Sequence, residues 1–291
     1  MRTMYSLGNL DMSIFFKLFD AQVKPMLLYS SEVWGLTRFE TVEKIHLFAC
    51  KKFLSVSGKT PNTLVYGETG RYPLYIDSSV SAVRYWFKLQ KLDVSRLPRQ
   101  AYERNKNEER MSHNWALLIK QCLDSFGFSE VWMYGGVGDE KMFLNLLKQR
   151  MIDCYKQVWN EKLQHSDRYA VYRTFKSLLQ PEKYLRDITI SKFRVAMTKF
   201  RVGISDLRIN KRYKDMPIPR NCPFCDELDT EIHFLIKCPM YTQLRDKYIY
   251  KHYKNSNIPP LPFLLQNDNR LLTRDVAMFI FYAFRSREKL L

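Results

Sequence analysis

The chain has 291 residues, 46% of them hydrophobic, so it has room for two domains and enough apolar residues for a real core. Its 47 Lys and Arg against 30 Asp and Glu give a formal net charge of +17, which favours a polyanionic partner, nucleic acid first, or else serves solubility alone. With only 10 glycines and few Ser-rich runs, the composition excludes a linker or a low-complexity protein.

The N-terminal stretch has neither a long apolar run nor a small-residue cleavage site, so we expect no signal peptide. The longest apolar run, Val276 to Phe284, is too short to cross a bilayer. Cys50, Cys122 and Cys154 stand singly in apolar segments, which is typical of buried thiols in a reducing compartment. The sequence therefore predicts a soluble, intracellular protein of the nucleus or cytoplasm, with no membrane association.

Apolar periodicity predicts a mainly α fold, since no stretch alternates convincingly as a strand would. Asp11 or Ser13 can cap the first helix, Pro25 should kink it, and Thr60 can cap a helix that begins at Pro61. The further predicted helices are Thr37 to Ser55, Ser81 to Leu92, Trp115 to Phe126, Asp139 to Gln164, Tyr169 to Leu179, Ile188 to Val202, Tyr241 to Lys254 and Leu272 to Leu290.

Changes in composition suggest five consecutive segments. Residues 1–95 form a helical domain, and residues 96–112 are polar enough for a charged linker or, equally, a solvated surface helix. Residues 113–205 form a helical connector. Residues 206–254 hold a basic segment and a cysteine-histidine motif, and residues 255–291 form a loop and a last helix.

The most specific motif is C-x2-C-x7-H-x4-C, formed by Cys222, Cys225, His233 and Cys238. The two nearby thiolates can hold one side of a metal. We expect the His and the last Cys to close the other side, because residues i and i+4 project from the same side of a helical turn. Three thiolates and an imidazole suit a closed, structural Zn²⁺ site without a position for a catalytic water. The alternative is a chance grouping of ordinary thiols. Phe224 and Phe234 are expected to form a small core beside it.

A basic block precedes this motif. Residues 186–220 contain ten Lys or Arg against three Asp, a net charge of +7. Phe193, Met197 and Phe200 fall on one helical stripe and are predicted to be core. The basic residues predict phosphate contacts, the alternative being that their charges are merely solvated. The candidate contacts are Lys192, Arg194, Lys199, Arg201, Arg208, Lys211, Arg212, Lys214 and Arg220.

Catalytic motifs are weak. Gly135, Gly136 and Gly138 are followed by Asp139 and Glu140, whereas a phosphate-binding loop needs a Lys and a Ser or Thr after its last glycine. The remaining histidines are scattered singly, without a nucleophile signature beside them. We therefore expect no catalysis by this chain alone.

Two parts of the chain resemble LINE-type (non-LTR) retrotransposon reverse transcriptases. The stretch LFDAQVKPMLLYSSEVWG, residues 18–35, is similar to their thumb segment, and residues 60–74, TPNTLVYGETGRYPL, continue the similarity. Residues 200–245 resemble the cysteine-histidine segment near the C-terminus of the same reading frames. The resemblance implies that residues 1–95 are a thumb-like helical bundle and that Cys222, Cys225, His233 and Cys238 are the family's metal ligands.

The resemblance implies binding of RNA or DNA, as template–primer, element RNA or target DNA. The sequence departs from the family in having no Asp-Asp pair, which polymerase chemistry needs to hold Mg²⁺. We therefore interpret the chain as a nucleic-acid-binding fragment without the polymerase palm. The alternative is a zinc-stabilised helical protein-interaction module, a domesticated or decayed remnant of such an element.

Overall fold

A computed structural model describes residues 10–108, 114–210, 220–253 and 259–291. Within these ranges the protein is mainly helical, and extended pairing is limited to an isolated antiparallel bridge between Asn221 and Leu228. The predicted mainly α class is confirmed. The part of the chain that the structure describes contains no helix long and apolar enough to cross a membrane.

α-Helices make up most of the described residues. In chain order they are α1 (Met12–Leu18), α2 (Lys24–Leu27), α3 (Ser31–Trp34), α4 (Glu40–Leu54), α5 (Asn62–Thr69), α6 (Tyr75–Lys91), α7 (Leu97–Asn107), α8 (Trp115–Ser125), α9 (Ser129–Met133), α10 (Glu140–Gln164), α11 (Ala170–Arg173), α12 (Tyr184–Asp187), α13 (Ser191–Arg201), α14 (Thr242–Tyr248), α15 (Leu261–Leu265) and α16 (Arg270–Leu290).

Several helix ends follow from local sequence chemistry. The Asp11 carboxylate accepts hydrogen bonds from the backbone and hydroxyl of Ser13 at the start of α1, as a capping residue should. Before Pro25 the chain forms a π-turn, Phe19–Val23, which accommodates the proline's missing donor. Thr60 does not cap α5: Pro61 is the N-cap, and the buried Thr60 hydroxyl has no hydrogen-bond partner among the described residues.

The chain divides into two compact units, and neither is a consecutive segment. The terminal unit comprises Met1–Phe16, Ala49–Arg71 and Asn160–Leu291, and the inner unit comprises Lys17–Phe48 and Tyr72–Trp159. Three of the four boundaries fall within helices, where composition gives no signal. Residues 97–107 form α7 of the inner unit, and its Tyr102 is buried and accepts a hydrogen bond from the indole of Trp86.

The inner unit has a continuous apolar core. Trp86 and Phe87 of α6 lie at its centre and contact Phe143 of α10 and Trp132 of α9. Leu123 of α8 is fully buried in the same cluster. These contacts come from helices whose apolar residues recur at helical spacing, so the sequence pattern is sufficient to explain this core.

The terminal unit is centred on the packing of α13 against α16. Phe193, Met197 and Phe200 of α13 are buried, as their spacing predicts. Phe200 contacts Phe234, which lies in the segment that carries the candidate metal ligands. Helix α14 also packs on α16, so the ligand segment is held between elements of one core.

Candidate metal centre

The first two ligands lie on a tight loop closed by the Asn221–Leu228 bridge. The amide of Asp226 donates to the carbonyl of Cys222, at 3.2 Å, which folds the chain back between Cys222 and Cys225. Asp226 itself adopts a left-handed backbone conformation with φ of 59°, which Asp tolerates better than most residues. The loop therefore places both thiols on the same side.

The other two ligands are brought together by a π-turn, and the sequence-based expectation needs a correction here. An α-helix turns about 100° per residue, so residues five positions apart, such as His233 and Cys238, would diverge by about 140°. Instead, residues His233–Lys237 form a π-helix, and the Cys238 amide donates to the His233 carbonyl at 2.8 Å. The wider turn aligns residues five apart, which an ordinary helical turn would not do.

The four ligand atoms all lie within 4.8 Å of one another. The Sγ atom of Cys238 is 3.9 Å from the Sγ atoms of both Cys222 and Cys225. The Nε2 atom of His233 is 3.1 Å from Cys225 Sγ. The predicted set thus converges on one point, and it could hold a metal ion.

Glu227 orients the histidine, a contact that the sequence reasoning missed. Its Oε2 atom lies 3.0 Å from Nδ1 of His233. When Nδ1–H donates to this carboxylate, the lone pair of Nε2 is free for a metal. Glu227 could be found only from the structure, because Asp226, Asp229 and Glu231 stand in the same short spacer.

Burial also controls the thiols. It raises the pKa of Cys222 above its ordinary value and raises the pKa of Cys238 to about 12. Without a cation at the centre both side chains are therefore protonated thiols at neutral pH. A metal would have to displace these protons, so its binding releases protons to solvent.

The π-turn is fixed by apolar packing. Phe234 is fully buried and contacts Phe284 at 4.5 Å and Tyr241 at 4.8 Å between ring centroids. The predicted small core is therefore part of a larger one. Phe224 joins this core through an edge-to-face contact with the ring of Tyr241.

Buried charges anchor the ligand segment on both sides. The Asp229 carboxylate is fully buried and accepts hydrogen bonds from the guanidinium of Arg287 and from the amide of Arg208, the latter at 2.7 Å. Arg245 of α14 is buried and donates to the carbonyl of Cys238. The ligand segment is thus tied to α16 through Arg287 and to α14 through Arg245.

The residues predicted to contact nucleic acid differ in how far their side chains are exposed to solvent. Lys192, Lys199 and Arg220 are exposed. Arg208 is half-buried and donates from Nη1 to the Asn221 carbonyl, so it has a structural role in the ligand loop. Lys211, Arg212 and Lys214 lie outside the described residues.

Two residues of the predicted set are buried, which corrects their assignment to a phosphate-binding surface. Arg201 has a fully buried side chain, and Arg194 is buried with its guanidinium 5.1 Å from the ring centre of Phe53. Both were predicted to contact phosphates from positions beside the Phe193, Met197 and Phe200 stripe. The prediction failed because α13 is covered on more than one side.

Arg201 is the centre of a buried ionic network. Its Nε lies 3.1 Å from Glu68 and its Nη2 lies 2.7 Å from Glu182, while Nη1 donates to the carbonyl of Leu265. Glu182 also pairs with the buried Lys176. Two carboxylates thus face two cations, so the cluster carries no net charge.

Two tyrosines donate the remaining hydrogen bonds to the Glu68 carboxylate. The hydroxyls of Tyr172 and Tyr184 donate to its carboxylate at 2.8 Å and 2.5 Å. Burial alone would raise the pKa of Glu68, but the charge and hydrogen bonds of Arg201 hold it below its ordinary value. The cluster is therefore a satisfied structural network, since its charges are paired and removed from solvent.

Comparison with protein-family models, with curated proteins and with solved structures finds no match for this chain.

Proposed function

We propose that the centre binds one Zn²⁺ ion as a structural metal. Zinc–sulfur bonds of about 2.3 Å in a tetrahedron place two sulfurs about 3.8 Å apart, close to the 3.9 Å between Cys238 and each of the other two thiols. Three thiolates and one imidazole fill all four positions of such an ion. The convergence of these four ligand atoms within 4.8 Å is the observation that carries the proposal.

Metal analysis of the purified chain tests the site. We expect about one zinc per chain, and X-ray absorption should show three sulfur ligands at about 2.3 Å and one nitrogen at about 2.0–2.1 Å. A Cys222→Ser, Cys225→Ser protein should lose the metal. The matched control is Cys122→Ser, Cys154→Ser, which removes two thiols of the inner unit. Equal zinc in both variants would refute the site.

The wider proposal is that the chain binds RNA or DNA as a non-catalytic, zinc-stabilised part of a non-LTR retrotransposon reverse transcriptase. The resemblance of residues 18–35, 60–74 and 200–245 supports it. The net charge of +7 over residues 186–220 supports the partner class. Exposed Lys192, Lys199 and Arg220 provide phosphate contacts, whereas the buried Arg194 and Arg201 are left out of the proposed surface.

Salt dependence tests nucleic-acid binding. We expect the chain to bind labelled RNA and single-stranded DNA, with the logarithm of the binding constant falling linearly as the logarithm of the salt concentration rises. Each neutralised phosphate of a single strand contributes about 0.7 to the slope. Binding that is absent, or that does not change between about 50 mM and 200 mM salt, would contradict the proposal.

A second function, docking to a protein partner, is favoured by one observation. Four apolar side chains near the start of the inner unit are strongly exposed, namely Met26 at 74%, Tyr29 at 80%, Val33 at 61% and Phe39 at 47%. These residues lie close together along the chain, between positions 26 and 39, and exposed apolar side chains that form one patch are typical of an interaction surface. A Tyr29→Ser, Val33→Ser variant should then lose a partner while keeping any nucleic-acid affinity, and unchanged partner capture would exclude this surface.

A further inference from the structure

A row of four aromatic rings in the terminal unit runs across α16. Phe193 of α13 contacts Phe281, Phe281 contacts Tyr282, and Tyr282 stacks on Tyr248 of α14. The successive ring centroids are 5.3, 5.3 and 5.8 Å apart, and the two tyrosine rings are within 8° of parallel. Phe193 and Tyr248 are buried, whereas Phe281 and Tyr282 are half-buried and reach solvent.

Exposed cations border this aromatic row at both ends. Lys192 Nζ lies 5.0 Å from the ring centre of Phe193 and 5.2 Å from that of Phe281. The Arg285 guanidinium is 5.9 Å from Phe281. At the other end, the Nζ atoms of Lys247 and Lys251 lie 5.4 and 6.0 Å from the ring centre of Tyr248. These distances place each charge beside a ring.

Carboxylates neutralise only part of this charge. Asp275 pairs with Lys251 at 2.9 Å and with His252 at 2.7 Å, and Glu288 lies 3.7 Å from Arg285. Among the described residues, Lys192 and Lys247 have no ion-pair partner. The surface therefore keeps positive charge at each end of the aromatic row.

The cationic surface continues past Phe193. A cavity of about 240 Å³ adjoins this ring and is lined by Arg270, Arg274 and Leu271, with Asp187 as its one acidic lining residue. Arg270 and Arg274 are exposed. Positive side chains thus follow the row from the cavity to α14.

We propose that this aromatic row and its bordering cations bind single-stranded nucleic acid, an inference that rests on the proposed nucleic-acid function and assigns its contact surface. Bases can stack on the exposed parts of Phe281 and Tyr282, while phosphates contact Lys192, Arg285 and Lys247. A duplex would keep its bases paired and use the cations alone. The surface therefore favours a single strand over a duplex of equal length.

The charge contribution is tested with a two-residue variant and a matched control. Lys192→Gln, Arg285→Gln removes two cations from the row, and Lys59→Gln, Lys162→Gln removes two exposed cations of the same unit that make no described contact with the row. We expect the first variant to bind a labelled single strand about tenfold more weakly at about 100 mM salt, with its salt slope reduced by about 1.4. The control should change much less.

The stacking contribution is tested at Tyr282. Replacing it with Leu should lower single-strand affinity about tenfold and affect duplex affinity little, because base stacking is lost. Tyr282→Phe keeps the ring and should bind as the unchanged chain does. Equal unfolding midpoints of the two Tyr282 variants exclude misfolding as the cause of weaker binding. The charge variants, which are at exposed sites, test the same surface independently.

The outcomes separate this surface from the wider proposal. Wild-type binding with equal losses in the row variant and the Lys59, Lys162 control would overturn the surface and leave nucleic-acid binding intact. No salt-dependent binding by the wild-type chain would overturn both. RNA and DNA strands of the same sequence are then compared. Equal affinity assigns the contacts to phosphates and bases, whereas stronger RNA binding indicates an additional contact to the 2′-hydroxyl. Either result supports the surface when the row variants weaken the binding.

Discussion

The inner unit buries Trp86, Phe87 and Leu123 among other apolar side chains, and its Lys–carboxylate pairs, such as Lys91 with Glu140 and Lys24 with Asp77, keep both side chains partly exposed. The terminal unit differs in kind. Within the described ranges, every buried Lys, Arg, Asp or Glu lies in the terminal unit, together with the four candidate metal ligands. The described core of the inner unit is thus mainly apolar, whereas the terminal unit also depends on buried pairs of opposite charge.

This difference predicts how each unit fails. Losing one partner of a buried network leaves an uncompensated charge, which costs more than loss of a surface pair. The terminal unit should therefore respond sharply to single polar substitutions, and the inner unit should not.

The largest effect of a single substitution is expected at Arg201. Arg201→Met leaves Glu68 and Glu182 with only Lys176 to balance them, so we expect a loss of about 3–5 kcal/mol in the free energy of unfolding. Lys199→Met is the matched control on the same helix, at an exposed position. Denaturant unfolding measures both, and similar losses for the two variants would contradict a structural role for the network.

A smaller effect is expected at Glu227. Glu227→Gln weakens the partner of His233 Nδ1 without removing a ligand, so zinc affinity should fall about 10–100-fold. Competition with a zinc chelator measures the affinity. Asp226→Asn is the control, because the described hydrogen bond of that side chain is to Asn221. Unchanged affinity in Glu227→Gln would show that the carboxylate does not support the metal site.

The smallest effect is expected in the inner unit, at Asp77. Burial opposes its ionisation, but hydrogen bonds from Lys148 and Lys24 hold the pKa of its carboxyl below the ordinary value. A depressed folded-state pKa means that this stabilisation is present above the unfolded-state pKa and is lost as pH falls through the folded-state value. Asp77→Asn should cost about 1 kcal/mol at pH 7 and less in acid. A loss independent of pH would contradict the ion pairs.

The sequence predicted what depends on neighbouring residues. The spacing of Phe193, Met197 and Phe200 identified a buried stripe, and the spacing of Cys222, Cys225, His233 and Cys238 identified a converging set of ligands. Both signals are local, since a helical face and a metal-ligand motif are each defined by the spacing of residues within one short stretch of the chain.

What the sequence could not show depends on distant partners. Arg201 looked like a surface cation because its partner Glu68 is 133 residues away in the chain. The same is true of Asp229 and Arg287, which are 58 residues apart. The π-turn at His233 was missed for another reason: its geometry is set by the packing of Phe234 and by the ligand convergence, and neither follows from helix propensity.

The central claim is that a metal centre stabilises the terminal unit. The most direct test is hydrogen exchange with and without a zinc chelator. We predict that chelation accelerates exchange of the amides of residues 220–241 and of the α13 and α16 segments packed on Phe234, while the amides of α6 and α8 in the inner unit keep their protection. Unchanged exchange throughout the terminal unit after the metal has been removed would contradict the account.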